Sequence, residues 1–221
     1  KLMKKFYRFY DRKVLKKNFD EYLTEIQDKK NGGPILIDLD FKFDKTLDER
    51  VFEDDIISDM VAIYVEEIMK IFDLTDINTF EIYVLMKNDM VNDDINDCIK
   101  DGIHIHICLK TKHENQIVLR NHVMKKIDDQ VLDDIDYINN INDVFDLSIT
   151  SGNTGWLLYG SKKPGGEPYK IKYKYEILLD NDDYDIDSKP VENETSLNIV
   201  KKLSIHNNNL VEINLKEEFK S

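Results

Sequence analysis

Residues 33 to 44 read GPILIDLDFKFD, and this stretch constrains the chain most tightly. Ile35, Leu36 and Ile37 form a short apolar run that predicts a buried strand. Asp38 and Asp40 then bring charge where a core strand should avoid it. In a strand, residues two apart point to the same face, so the two carboxylates stand side by side. Like charges that close repel unless something positive lies between them. One reading ends the strand at solvent, with a carboxylate facing water or pairing with a lysine. The other supplies a hard divalent cation, Mg²⁺ or Mn²⁺, which favours carboxylate oxygens. Such ions activate an attacking hydroxyl and stabilise charge on a phosphoryl group.

The chain around this strand has 221 residues, enough for one large domain or two small ones sharing a core. At 41% hydrophobic and 34% charged it has an ordinary soluble composition. No stretch approaches the roughly 18 to 20 apolar residues of a membrane-spanning helix, and no membrane partner is expected. A start at Lys1 rather than Met reads as a piece of a longer protein. Cys98 and Cys108 form no disulfide framework and fit a reducing compartment. The net charge of −13 argues against a coat for nucleic acid, but charge is unevenly distributed. Residues 1 to 17 hold eight Lys or Arg against Asp11, and residues 162 to 174 hold five Lys against Glu167. Acids gather elsewhere, notably in DNDDYDID at 180 to 187. Two basic islands on an acidic chain are compatible with a local phosphate track.

Periodicity predicts one or two helices within residues 1–26, a turn at NGGP (31–34) and a strand over 35–43. Phe52, Ile56, Met60, Tyr64 and Ile68 recur every four residues and predict an amphipathic helix. Strands follow in TFEIYVLMK (79–87) and GIHIHICLK (102–110), then a helix over 114–127. VFDLSI (144–149) is short and structurally open. GWLLYGS and YKIKYKYEIL read as strands joined by the Pro/Gly-rich loop KKPGGEP. Beyond Leu179 the chain reads as acidic loop, closing in a short helix or strand and a tail. Strands and helices mix without regular alternation, which favours an α+β fold. The expected division is a basic helical segment (1–32), a catalytic domain (33–206), and a tail or linker (207–221).

Three further segments carry chemistry. DGIHIHICLK sets His104, His106 and Cys108 on one face of a strand. With Cys98 they would make a zinc site, but the spacing fits no common zinc pattern, so a core or sheet role for His106 and Cys108 is favoured. A histidine beside the carboxylate pair could instead contact a triphosphate, which keeps His104 and His106 as candidates. WLLYGSKKP brings Gly160, Ser161, Lys162 and Lys163 to a strand end, where glycine lets backbone N–H groups approach an anion. It is not a Walker A loop, and a solvated lysine hairpin is the plain alternative. NDVFDLSIT sets Asp146 in a short apolar run, with Asp143 as a nearby competitor.

In this order the pieces resemble the archaeo-eukaryotic primase superfamily, in particular the primase domains fused to superfamily 3 helicases in large DNA viruses. ILIDLDF matches the apolar strand ending in D-x-D, Gly102-Ile103-His104 the small-x-His strand, and VFDLSI the apolar-Asp element. WLLYGSKKP, Trp156 to Pro164, matches a segment of the viral branch, and LSIH at 203–206 resembles a stretch after its core.

The resemblance implies a mixed sheet carrying the three motifs, with helices packed against it. It implies that Asp38, Asp40 and Asp146 bind two divalent ions, Mg²⁺ or Mn²⁺, for nucleotidyl transfer from NTP or dNTP substrates. His104 would contact the triphosphate, and Gly160, Ser161 and Lys163 its phosphates. A single-stranded DNA template, a fused or associated helicase, assembly through that helicase and a viral replication site in the host cytoplasm follow from the same likeness. From charge alone, Lys162, Lys170, Lys172 and Lys174 become candidates for a nucleic-acid track, with Tyr169, Tyr173 and Tyr175 interleaved as stacking partners. An ordinary amphipathic edge strand is the alternative. Competing functions are a metal-dependent nuclease, a template-independent nucleotidyltransferase, a non-catalytic binding module of a replication helicase, and the zinc module.

Overall fold

A computed structural model describes residues 2–181 and 183–220. The longest strands are those with the strictest alternation. β2 (Gly33–Phe43) turns Ile35, Ile37, Leu39, Phe41 and Phe43 into the main core. β6 (Cys98–Thr111) does the same with Ile103, Ile105, Ile107 and Leu109. Both run antiparallel in register, with β4 (Thr79–Met86) on the far side of β6, then β8 (Lys170–Asp180) and β9 (Asp183–Ser188). The principal order is therefore β2-β6-β4-β8-β9. Two short strands, β5 (Val91–Asp93) and β10 (Val211–Glu212), pair with β6 beyond the two ends of its contact with β4.

Two helices cover one face of this sheet. α2 (Asp54–Ile71) supplies Ile57, Met60, Val61, Tyr64, Val65 and Ile68 at three- and four-residue spacing. Asp54 and Asp55 sit in its first turn, where the helix dipole favours negative charge. α3 (His113–Gln130) packs beside it through Leu119, Val123 and Ile127. The opposite face is covered by smaller pieces: α1 (Leu2–Tyr10) with its π-helical extension Asp11–Leu15, the ribbon of β1 (Thr24–Glu25) with β7 (Trp156–Leu157), and α6 (Ser196–Lys202). The fold is α+β with a mixed sheet, as expected.

Four local expectations differ from the structure. The N-terminal helix stops at Leu15, and Asn18 adopts a left-handed backbone (φ 54°) that asparagine tolerates, so 19–26 runs extended. Only Trp156 and Leu157 of GWLLYGS are strand, because Gly160 turns the chain at φ 92°. The acidic stretch after Leu179 folds back as β9, whose alternate Tyr184 and Ile186 pack on the core while its acids line the exposed edge. Residues 207–221 do not behave as a tail through their described length. β10 joins the sheet, β11 (Asn214–Leu215) pairs with β3 (Phe72–Asp73), and Ile213 and Leu215 are buried in the main core.

Candidate active site

The β2–β6 register sets Asp38 opposite His104 and Asp40 opposite Gly102. Both carboxylates thus project from the face that the two long helices leave uncovered. His104 Nε2 lies 3.2 Å from Asp38 Oδ1, yet without hydrogen-bond alignment, so that buried oxygen has no hydrogen-bond partner among the described residues. The imidazole is held between two aromatic rings. Tyr169 stacks on it at 3.5 Å between centroids and 15° between planes, and Trp156 lies 4.4 Å away. Gly102 is explained by the same packing: a Cβ there would collide with the Tyr169 hydroxyl.

Asp146 reaches this place through its backbone. Its N–H donates to the Asp38 carbonyl at 3.0 Å, and its side chain caps α5 (Leu147–Thr150) by accepting from the Ser148 N–H at 2.7 Å. Asp143 is exposed on the preceding turn, α4 (Ile141–Val144), so the apolar-Asp element delivers Asp146. Arg120 of α3 holds this loop from behind, donating to the Phe145 carbonyl from Nε (3.0 Å) and Nη2 (2.6 Å), and to Asn142 O at 3.1 Å.

The two strand carboxylates titrate apart. Burial acts to raise Asp38, but His104, Lys163 and Lys87 outweigh it and hold that carboxyl below its ordinary value. Asp40 reaches solvent, yet its protein surroundings raise it and the neighbouring Asp38 raises it further, against Lys163 and His104. A pair pushed in opposite directions by one environment marks a site of charge chemistry. Lys87, at the end of β4, was not singled out from sequence. Its ammonium lies 5.3 Å from the Tyr169 ring centroid, and burial followed by repulsion from Lys163 lowers its pKa, against Asp40 and Asp38. Arg50 fixes the strand end beneath it, gripping both oxygens of buried Asp101 at 2.8 Å and the Lys87 carbonyl at 3.1 Å. Two lysines therefore converge on the carboxylate pair, an arrangement that accepts an anion beside a cation.

Gly160 and Ser161 line the same small cavity as His104, Trp156 and Tyr169, and the remaining candidates fall elsewhere. Ser161 is buried, its hydroxyl bonded to Tyr10 Oη at 2.8 Å and accepting from the Leu23 N–H at 3.2 Å. Gly160 packs on Leu15 with no room for a Cβ. Together they fasten the N-terminal segment to the loop carrying Lys163. The LSIH stretch does similar work: the Ser204 hydroxyl accepts from Tyr7 at 2.7 Å and donates to Glu25.

Lys162 pairs with Asp20 at 2.7 Å, whereas Lys170 and Lys172 are exposed. Lys174 is not on a surface track. It is buried against Glu81 and Glu194, which Lys202 also joins at 2.7 and 3.0 Å. The tyrosine ladder is divided as well. A bulge between Val84 and Leu85 leaves Lys172 unpaired, so Tyr173 and Tyr175 belong to the helix side and Tyr169 to the carboxylate side.

The zinc arrangement fails on distance. Cys98 and Cys108 are ten residues apart on one continuous strand, about 33 Å at the rise of extended chain. His106 is wholly buried, neither ring nitrogen has a partner among the described residues, and burial pushes its pKa down to about 3, so it stays neutral. Among the described residues no three His, Cys, Asp or Glu side chains are assembled as a metal-ligand group. A divalent cation nevertheless fits the donor chemistry: Asp38 and Asp40 are adjacent hard carboxylates, Asp146 adjoins them, and Asp38 keeps an orphaned buried oxygen. Asp146 would have to trade its Ser148 cap for such an ion.

A mixed sheet that presents a D-x-D pair across from a histidine on an antiparallel neighbour, with a third aspartate delivered by a helix cap, defines a primase-type domain. The family described as the C962R protein N-terminal AEP domain, AEP denoting archaeo-eukaryotic primase, matches residues 1–175, and the chain belongs to it. Over 174 residues, 76% of this chain, it is 33% identical to a protein of Acanthamoeba polyphaga mimivirus named "Putative helicase L207/L206". The match covers 17% of that relative, so the chain spans a small part of its length. Among the described residues no helix is long and apolar enough to cross a membrane.

Proposed function

We propose that this domain is a template-directed DNA primase with primer-extending capacity, acting beside a helicase within a larger viral replication protein. What supports the reading is the Asp38 and Asp40 pair on one sheet face, with Asp146 joined to Asp38 through its backbone and with Lys87 and Lys163 acting on the same two carboxylates. The three aspartates would hold two Mg²⁺ or Mn²⁺ ions, which supply activation of a 3′-hydroxyl and neutralisation of phosphate charge. Lys163 and Lys87 neutralise the triphosphate as compact point charges. His104, clamped between Trp156 and Tyr169, is oriented to donate a hydrogen bond to a phosphate oxygen once Asp38 engages a cation. The primer's 3′-hydroxyl would give its proton to solvent as its oxygen bonds to the α-phosphorus, the bond to the β-phosphate oxygen would break, and pyrophosphate would leave with that electron pair.

The test incubates wild type and an Asp38→Ala/Asp40→Ala variant with single-stranded template, labelled nucleotides and Mn²⁺ or Mg²⁺. Template-dependent short products from wild type, reduced at least about a thousandfold in the variant, are expected. Products whose sequence ignores the template would make the domain a template-independent transferase. Degraded template would make it a nuclease, and no product with no nucleotide binding would leave a non-catalytic module.

A further inference from the structure

We propose that residues 8–22 form a stacking platform for single-stranded nucleic acid, with Phe9, Phe19 and Tyr22 as the ring surfaces. These three are 56%, 56% and 48% exposed, where buried packing would be the ordinary fate of such side chains. Cations alternate with them. The Arg12 guanidinium lies 5.9 Å from the Phe9 ring centroid and the Lys13 ammonium 5.2 Å from that of Phe19. Among the described residues Lys4, Lys5, Arg8, Arg12, Lys13 and Lys17 have no carboxylate within salt-bridge distance, although the chain carries a net charge of −13. Of the three acids in residues 8–22, Asp11 is turned inward to Lys16 and Ser196, Asp20 pairs with Lys162, and Glu21 accepts from the Tyr22 N–H, against five Lys or Arg in the same stretch. Exposed rings interleaved with uncompensated cations suit a polyanion with aromatic bases.

The platform is rigidly mounted. Leu158 N–H donates to the Leu23 carbonyl at 3.1 Å, Lys162 N–H to the Glu21 carbonyl at 2.9 Å, and Tyr10 bonds to Ser161. These contacts tie it to the loop that carries Lys163 beside the carboxylate pair, so a strand lying on it leads toward the site. That last step rests on the primase reading, whereas binding itself does not.

An anionic membrane fits less well. Membrane-surface helices need one continuous apolar face. Here Tyr7, Tyr10 and Val14 of the N-terminal helix are already buried against the protein, which leaves Leu2, Met3 and Phe9 as its exposed apolar residues, and Phe19 and Tyr22 lie beyond the helix end.

The experiment measures fluorescence anisotropy of a labelled oligothymidylate of about twenty nucleotides, without metal or nucleotide, at two salt concentrations. A Phe9→Ala/Phe19→Ala/Tyr22→Ala variant should bind about tenfold or more weakly, with little change in salt dependence. Arg12→Gln/Lys13→Gln should weaken binding and flatten the salt dependence by about two counterions. Circular dichroism checks that each variant folds. Unchanged binding in both platform variants would overturn the proposal even if primer synthesis were observed. So would loss of binding to phosphatidylserine vesicles with oligonucleotide binding intact. If no primers form but the platform variants lose the oligonucleotide, the platform stands and the primase reading falls alone.

Discussion

The two faces of the central sheet are built on opposite principles. Toward α2 and α3, β2, β6 and β4 turn Ile, Leu, Phe and Val into a dry core whose residues are almost all fully buried. Toward α1 and α6 the same strands carry Asp38, Asp40, His104, His106 and Cys108, with the Glu81–Lys174–Glu194–Lys202 cluster close by. The apolar face stabilises the fold by removing hydrocarbon from water. On the other face, part of that stability is given up so that charge can be held in fixed places.

The sharpest way to separate the two roles is to damage the dry face alone. Ile68 is wholly buried on α2, on the far side of the sheet from the carboxylates. Ile68→Ala should cost about 4 kcal/mol through lost burial and a cavity. Urea unfolding measures that cost. Primer synthesis per folded molecule should stay at the wild-type level at low temperature. A fall in activity at full folding would show that the two faces are not independent.

His106 tests the opposite face. It is fully buried and held down to about 3, against 6.5 for an ordinary histidine. Its folded pKa lies below the unfolded one, so the unfolded chain takes up a proton between about pH 6.5 and 3 while the folded chain does not. The neutral residue's contribution is intact above 6.5 and lost as pH falls through that window. At pH 4.5 the loss attributable to His106 is about 3 kcal/mol. His106→Leu, which removes two unpartnered nitrogens, should be near neutral at pH 7 and lack this part of the acid loss. Parallel denaturation of both proteins at pH 7 and 4.5 checks it, and equal acid losses would mean that His106 finds a partner when folded.

The contrast also explains what was legible beforehand. Alternation located β2, β4, β6 and α2, because hydrophobic period reports directly on a face packed against one continuous core. It also placed Asp38 and Asp40 together, a local relation of two residues on one strand. What it could not show were relations set by distant pairing. The D-x-D and G-x-H elements meet only through the β2–β6 register, which sequence order and family likeness signalled but periodicity did not. Tyr169 shared the alternation of Tyr173 and Tyr175, yet the single bulge at Lys172 put it on the other face, over His104. Lys174 looked like its exposed neighbours until Glu81 and Glu194 came to it from elsewhere in the chain. The N-terminal segment looked helical throughout because Phe19, Leu23 and Ile26 continue the spacing, although all three are exposed.

Lys87 gives the smallest expected effect and the finest test of how charge is arranged on the site face. A lysine after a strand carries no signal in a chain of this composition, and only the fold brings it to Tyr169, Lys163 and the carboxylates. With triphosphate absent, its ammonium is partly buried and repelled by Lys163; an arriving polyanion would relieve both lysines at once. Lys87→Gln should therefore raise KM for nucleotide about tenfold, equivalent to about 1.4 kcal/mol, while kcat changes little if the contact is uniform through the reaction. Lys163→Gln should do the same, and the double variant should fall short of the product of the two, because removing either lysine also removes the repulsion borne by the other. Steady-state kinetics on a primed template measures all three. Independent, fully multiplicative effects would place the two lysines on different parts of the substrate, whereas a shared, non-additive loss would locate them on the same triphosphate.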